Sequence, residues 1–240
     1  MSAQRLDKWI ANTCGLSRKE VKDFVRAGRV CVNGETVHNA GMQIDPDSDV
    51  LCLDGKTYTA QQHIYIMLHK PLGVVSASRD RTQKTVLDLV PAPLFRKGLF
   101  PAGRLDKDTS GFVLLTDDGD FAHRILSPKN HIQKTYLALI SEPLPEAALE
   151  TLAAGITLRD GTKLLPAEVR VCTQDRRAVQ IKICEGKYHQ IRRMLAAVGC
   201  PVQTLTRTHM GALALDPALQ PGECRLLTET EKEKITQRSN

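Results

Sequence analysis

Aromatic side chains are scarce in this sequence: Phe, Trp and Tyr make up 4% of its 240 residues, with a single Trp. This scarcity disfavours RNA recognition modules that stack bases on aromatic platforms, so any RNA contact should depend on backbone charge and shape. Long apolar runs are missing too, since runs such as Phe112–Leu115 and Leu137–Ile140 are short. A membrane-spanning helix needs about 20 apolar residues, and the N-terminus lacks an apolar signal core, so we expect a soluble, cytoplasmic protein.

Motifs that hold metals or common cofactors are also missing. The seven cysteines lie far apart without a CxxC pair, and the seven histidines lack zinc-ligand spacing. We therefore expect reduced thiols, no disulfide framework and no structural metal. The absence of GxSxG, P-loop and GxGxxG motifs leaves a small-nucleotide hydrolase poorly supported and gives no reason to expect a cofactor.

Basic residues outnumber acidic ones, since 33 Lys and Arg against 27 Asp and Glu give a net charge of +6. This balance is compatible with a polyanionic partner such as nucleic acid. Between Ser17 and Arg29, five basic residues stand against two acidic ones. Lys22, Arg26 and Arg29 have the i, i+4, i+7 spacing of one helix face, which is either a phosphate-binding face or an ordinary solvated one.

Local signals divide the chain into two domains. In residues 1–58, Ser17 and Glu20 form a capping box that predicts a helix start, and Asn33-Gly34 between apolar stretches predicts a hairpin. The elements predicted here are helices over 5–12 and 17–27, a hairpin over 30–37 and a strand over 50–53. Residues 59–63 lack periodicity and are predicted to be a linker.

Residues 64–240 are predicted to form a larger domain in which strands and helices are mixed, so the fold class is α+β. Strands are predicted over 64–68, 112–115, 136–140, 179–183 and 202–205, and helices over 121–126, 146–154, 189–198 and from Thr228 onward.

Asp106 is the first candidate for chemistry. It lies in the polar loop Gly103–Gly111, directly before the strand predicted over 112–115. Loops on rigid sheets often carry catalytic side chains, and a carboxylate between Arg104 and Lys107 should be ionised and available as a nucleophile or base. The alternative is a turn whose aspartate caps backbone amides.

Two further candidates follow along the chain. Tyr136, in Lys134-Thr135-Tyr136, sets a phenol beside an ammonium group and can transfer protons, or it is a half-buried strand residue. Arg192 lies near the start of the helix predicted over 189–198. There it can pair with a catalytic carboxylate or hold a phosphate, or it is a solvated surface arginine.

In this order, the motifs resemble the RsuA/RluA family of bacterial pseudouridine synthases. The matching stretches are Gly103-Arg104-Leu105-Asp106 with Asp108-Thr109-Ser110-Gly111, then Lys134-Thr135-Tyr136, then Gly186-x-Tyr188-His189-Gln190-Ile191-Arg192-Arg193-Met194. The N-terminal stretch from Arg5-Leu6-Asp7-Lys8 to Arg29-Val30-x-Val32-Asn33-Gly34 resembles an S4 RNA-binding domain. The resemblance covers nearly the whole chain. Residues 211–228 are most similar to the RsuA branch, which acts on small-subunit ribosomal RNA.

The resemblance implies a small S4-like domain over 1–58 and a mixed, mainly antiparallel-sheet catalytic domain over 64–240. It implies an enzyme that isomerises a uridine of 16S rRNA to pseudouridine and needs no cofactor. A monomer is expected by default, because nothing in the sequence forces an oligomer. Asp106 would be the nucleophile on a flipped-out base, and Tyr136 the pocket tyrosine implicated in removing the C5 proton. Arg192 would pair with the aspartate, and Arg104 would help to extrude the uridine. The implied RNA-binding residues are Arg5, Lys8, Arg18, Lys19, Lys22, Arg26 and Arg29.

The chemistry of this reaction agrees with the missing cofactor motifs. The N1–C1′ bond breaks, the base rotates and C5 bonds to C1′, with no redox change or hydrolysis. Unstacking the base costs a few kcal/mol, which phosphate contacts can offset. Attack by Asp106 on C1′ and abstraction of a ribose proton are both compatible with the sequence. The alternatives are the same reaction on 23S rRNA, or a non-catalytic S4-containing factor in ribosome assembly.

Overall fold

The computed structural model describes residues 3–46, 48–58 and 63–237. The chain divides into two compact units, Met1–His63 and Ile64–Asn240. Of the predicted linker, residues 59–62 lie outside the described residues. Both units combine helices with mainly antiparallel strands, so the predicted α+β class is confirmed. None of the described helices has the length and apolar character required to span a membrane.

The first unit consists of two helices and six short strands. They are β1 Gln4–Arg5, α1 Leu6–Cys14, α2 Arg18–Arg26, β2 Val30–Val32, β3 Glu35–Thr36, β4 Gln43–Ile44, β5 Leu51–Leu53 and β6 Lys56–Tyr58. The predicted capping box is confirmed, since Ser17 Oγ accepts from the Glu20 amide at 3.3 Å and the Glu20 carboxylate accepts from the Ser17 amide at 2.7 Å. The predicted hairpin is confirmed as β2 and β3. Apolar residues of both helices, including Leu6 and Val21, share one core with β2 and β5.

The prediction that Arg29 shares one helix face with Lys22 and Arg26 is wrong. Helix α2 ends at Arg26, because Ala27 is its C-cap and Gly28 follows with φ +66°. A left-handed residue of this kind ends a helix, so the i+7 spacing does not apply beyond it. Arg29 instead forms a two-point ion pair with Asp54, and its guanidinium lies over the Phe24 ring at 4.5 Å.

The second unit contains the remaining elements. Its strands are β7 Tyr65–Lys70, β8 Phe100–Ala102, β9 Ser110–Thr116, β10 Lys134–Ile140, β11 Ile156–Thr157, β12 Lys163–Leu164, β13 Glu168–Val171, β14 Ala178–Ile183, β15 Val202–Met210, β16 Leu213–Ala214 and β17 Cys224–Leu226. Its helices are α3 Gly119–Leu126, α4 Glu146–Ala154, α5 Gln190–Ala197 and α6 Glu229–Thr236. A nine-stranded sheet runs in the order β13-β14-β10-β15-β9-β7-β17, with β16 on β15 and β8 on β9.

This sheet buries side chains on both faces. Along β7 and β9, Leu68 and Val113 enter one core with α4 and α5, whereas the neighbouring residues Met67 and Phe112 enter a second core with α3 and α6. The alternation follows from the two-residue repeat of a strand. Buried on both sides, β7 and β9 form a rigid support for the loops at their ends.

Strands β9 and β15 are parallel and pair Gly111 with Arg207, whereas the other strand pairs of the sheet are antiparallel. Gly111 has φ +105°, and a Cβ added there would lie 2.2 Å from the Arg207 carbonyl oxygen and 2.7 Å from its amide nitrogen. The backbones therefore meet at a distance that only glycine permits.

We expect Gly111→Ala to lower the free energy of unfolding by about 3 kcal/mol, because the methyl group overlaps backbone atoms at a left-handed position. Urea unfolding followed by circular dichroism measures this loss. Gly119→Ala is the matched control, since Gly119 begins α3 and an added Cβ meets no described atom within 4 Å. Equal stability of the two variants would contradict the close approach.

Candidate active site

Asp106 lies in the loop between β8 and β9, and two contacts fix the backbone on either side of it. The Leu105 amide donates to Ser76 Oγ at 3.0 Å, and the Ser76 hydroxyl donates to the Leu105 carbonyl at 2.9 Å. The Thr109 amide donates to the Asp106 carbonyl at 3.1 Å and closes a turn. The Asp106 side chain is 34% exposed, so it is accessible to a ligand while its backbone is held.

A buried lysine, which sequence reasoning missed, supports the same loop. Lys70, the last residue of β7, is fully buried, and its ammonium donates to the carbonyls of Thr109 at 2.8 Å, Pro71 at 3.0 Å and Lys107 at 3.4 Å. Burial lowers the pKa of Lys70 to about 8. A lysine that ends an otherwise apolar strand just before a proline was the available signal.

The four residues predicted for the catalytic centre line one cavity of about 570 Å³. Asp106 and Arg104 come from the loop before β9, Tyr136 comes from β10 and Arg192 from the first turn of α5. Tyr136 is 8% exposed and belongs to the core as well, whereas Arg104 is exposed. A cavity of this volume falls in the range of small-ligand sites.

The predicted ion pair between Arg192 and Asp106 is replaced by another in this structure. Arg192 Nη2 contacts the Asp108 carboxylate at 3.0 Å and donates to the Asp108 carbonyl at 2.8 Å. Asp108 therefore offers two acceptors to one nitrogen, while the Asp106 carboxylate faces His189. Arg192 Nε is buried and has no hydrogen-bond partner among the described residues.

His189 and Tyr188 also line the cavity, although sequence reasoning gave them no role. His189 Nε2 lies 3.6 Å from Asp106 Oδ1, and the His189 backbone is left-handed, with φ +47°, at the N-cap of α5. The Tyr188 ring stacks on the His189 ring, with centroids 3.9 Å apart and planes 15° apart. Their position inside the motif that carries Arg192 was the available signal.

The seven residues predicted to bind RNA are all exposed in the first unit. Three of them are engaged in ion pairs: Arg5 with Asp7, Arg26 with Asp23, and Arg29 with Asp54. The Arg5 guanidinium holds the pKa of the Asp7 carboxyl below its usual value. The other four, which form no ion pair with another described residue, are Lys8, Arg18, Lys19 and Lys22.

Comparison with protein families supports two assignments along the chain. The family described as RNA pseudouridylate synthase matches residues 64–197, and the S4 domain family matches residues 4–50. These ranges fall within the second and the first compact unit, respectively.

Several known proteins are similar to this chain over nearly its whole length. Ribosomal small subunit pseudouridine synthase A of Escherichia coli (strain K12) is 45% identical over 95% of this chain and 97% of its own. The Bacillus subtilis (strain 168) protein named uncharacterized RNA pseudouridine synthase YtzG is 44% identical over 95% and 96%. A crystal structure described as a pseudouridylate synthase has a TM-score of 0.68 and 40% identity, covering 96% of this chain and 99% of its own.

We expect the free energy of unfolding of the wild type, relative to that of Lys70→Met, to increase as the pH rises from about 8 towards 10.5. The folded-state pKa of about 8 lies below the ordinary lysine value of 10.5, so in this window the unfolded chain holds a proton that the folded chain has released. Stability therefore rises with pH wherever this lysine is present. Below pH 8 both states are protonated and the difference should be constant.

Urea unfolding at several pH values from 7 to 10.5 measures this difference. Lys97→Met, which removes an exposed lysine, is the matched control. If the free energy of unfolding of the wild type minus that of Lys70→Met stayed constant or fell across this pH range, the result would contradict the buried ammonium.

Proposed function

The chain belongs to the RNA pseudouridylate synthase family and has an N-terminal S4 domain, and on that premise we propose that it isomerises a uridine of small-subunit ribosomal RNA to pseudouridine. The observation that carries the proposal is the shared cavity, in which a carboxylate, a phenol and two guanidinium groups meet. Isomerisation needs only acid–base and nucleophilic groups, and these four residues supply them.

The target uridine must leave its stack to reach Asp106, because the carboxylate lines a cavity of the second unit. The cavity of about 570 Å³ is large enough for a flipped base with its ribose. Arg104, which lines the cavity and is exposed, helps to extrude the uridine. Tyr136, which is almost fully buried, faces the base at the bottom of the pocket.

Asp106 acts as the nucleophile on the ribose side of the flipped nucleotide. Its loop is fixed through Ser76 and Lys70, so the carboxylate needs little reorganisation when the substrate arrives. A bond from Asp106 to C1′ forms as the glycosidic bond N1–C1′ breaks, and this bond breaks in turn as C5 bonds to C1′. The proton on C5 then leaves, and N1 gains one. Tyr136 is the group in the cavity that moves the C5 proton.

Arg192 neutralises charge in the cavity. Its Nε is a buried donor without a partner among the described residues. A movement of the side chain on substrate binding lets it donate to an RNA phosphate or to the Asp106 carboxylate. The pair with Asp108 holds the guanidinium at the wall until then. Arg192 is thereby a positioning residue for the carboxylate loop as well as a ligand for RNA.

The first unit binds the RNA backbone through its exposed basic residues. Lys8, Arg18, Lys19 and Lys22 carry most of this binding, because their charges are not neutralised by carboxylates among the described residues. The small subunit is proposed as the source of the target uridine because similar proteins of Escherichia coli and Haemophilus influenzae are named ribosomal small subunit pseudouridine synthase A. We propose a cytoplasmic protein, as expected for an rRNA-modifying enzyme, and a monomer, because nothing in the sequence forces an oligomer.

We expect Asp106→Asn to abolish pseudouridine formation, with a loss of at least about 10³-fold, while RNA binding and stability are retained. The amide has the same shape but is not a nucleophile. Carbodiimide treatment and primer extension map pseudouridine on unmodified small- and large-subunit rRNA and on assembly intermediates. Asp120→Asn, which changes an exposed carboxylate outside the cavity, is the matched control.

Each outcome of this mapping is decisive. One new stop in small-subunit rRNA that depends on Asp106 supports the proposal. A stop in large-subunit rRNA alone would preserve the chemistry and overturn the substrate. The absence of a stop in either RNA would overturn the enzymatic role and favour the assembly factor.

We expect Arg18→Ala/Lys22→Ala to lower the salt dependence of RNA binding, with the slope of log K against log salt reduced by about 1.5, because each lost phosphate contact removes roughly 0.7 to 0.9. Filter binding in the Asp106→Asn background measures the slope. Lys97→Ala/Lys129→Ala changes the net charge equally in the second unit and is the control. An unchanged slope in the first variant would rule out this helix face as a phosphate contact.

A further inference from the structure

Tyr188 is an exposed aromatic ring at the cavity that holds Asp106. Its side chain is 75% exposed, the largest fraction among the exposed large hydrophobic side chains of the described residues. In a sequence with four Tyr, five Phe and one Trp, such exposure at a cavity is unusual. No step of the isomerisation described above uses this ring.

The turn that carries Tyr188 is rigid. The Lys187 amide donates to Gln190 Oε1 at 2.9 Å, and the Gln190 amide donates to the Lys187 carbonyl at 3.1 Å. Gln190 is itself buried and donates from Nε2 to Glu185 at 2.8 Å, and that carboxylate also accepts from the Leu165 amide at 2.8 Å. The backbone that presents the ring is therefore fixed before any ligand binds.

One face of the Tyr188 ring is already stacked. The His189 ring covers it at 3.9 Å and nearly parallel, so the exposure of Tyr188 comes largely from the opposite face. The same imidazole lies 3.6 Å from the Asp106 carboxylate. The free face of Tyr188 is thus one ring away from the group that acts on the target uridine.

We propose that the free face of Tyr188 is the stacking site for an RNA base next to the target uridine. The inference deepens the proposed function and rests on it. Extrusion of the uridine leaves a neighbouring base without its stacking partner, and a flat ring fixed beside the cavity replaces that partner. Arg104 and Lys107, which line the same cavity, supply positive charge for the flanking phosphates.

Any of the four bases can occupy this site, because each has a π face and no hydrogen-bond donor is required. The phenol hydroxyl of Tyr188 has no part in the contact. Tyr188 is accordingly a positioning residue for the RNA. Its loss should weaken binding of the substrate and leave the chemical step intact.

The test uses the full chain and unmodified small-subunit rRNA. We expect Tyr188→Ala to raise KM for pseudouridine formation, and Kd in the Asp106→Asn background, by roughly 5- to 100-fold, the range of one base–aromatic stack. The kcat at saturating RNA should change by less than about threefold. Tyr188→Phe and Tyr188→Trp should both retain wild-type KM. Phe95→Ala removes another exposed aromatic that does not line the cavity, and it is the control.

A second measurement reports the stacking directly. A Trp side chain that stacks on a base loses fluorescence. RNA should therefore quench the emission added by Tyr188→Trp but not that added by Phe95→Trp. Both variants retain Trp9, which is buried in the first unit.

Three results would overturn the inference: unchanged KM and Kd in Tyr188→Ala, a Tyr188→Phe variant as weak as Tyr188→Ala, or a fall in kcat alone. The last would show that the ring acts on Asp106 through His189. Failure of the proposed function is a separate result, because a wild type that binds rRNA without forming pseudouridine still allows the Kd series to be compared.

Discussion

The parallel contact of β9 with β15 at Gly111 is the constraint on which the catalytic unit depends. It joins the loop that carries Asp106 to the half of the sheet that carries α5 and the turn before it. Because the backbones meet at a position that excludes any Cβ, the relative placement of these two chain segments has little freedom. This contact helps to bring Asp106, His189 and Arg192 together, and the pair of Arg192 with Asp108 joins the same two segments.

The electrostatics of the site begin below its surface. Lys70, Lys134 and Arg207 are buried in the second unit. The pKa of Lys134 is lowered, mainly by burial and also by the charge of Arg207. Arg207 Nε donates to the Phe112 carbonyl at 2.7 Å, so its charge is fixed inside the sheet. Asp108 and Asp106 are the carboxylates that interact electrostatically with Lys70. Buried positive charge of this kind attracts an approaching phosphate backbone.

Local signals in the sequence predicted local structure well. The capping box at Ser17 and the turn at Asn33-Gly34 each involve contacts within a few residues, and both form as expected. The convergence of Asp106, Tyr136 and Arg192 on one cavity was expected only from the family resemblance, because the residues come from distant stretches. Sequence reasoning could not find the Lys70 contacts or the Arg192–Asp108 pair, since both depend on which backbone carbonyls the tertiary fold leaves unpaired. The short strands β11, β12 and β17 were missed because two or three residues carry no periodic signal.

The pairing of β7 with β17 has a consequence for how the protein is made. The first unit closes on contacts within its own 63 residues, so it can fold as soon as it leaves the ribosome. In the second unit, Leu68 pairs with Cys224, and α6 completes the core beneath Met67. The sheet that contains Lys70 is therefore complete only when residues more than 150 positions later in the chain have been synthesised. The first unit can thus be complete during synthesis, while the sheet of the second unit is complete only after its last strand has been translated.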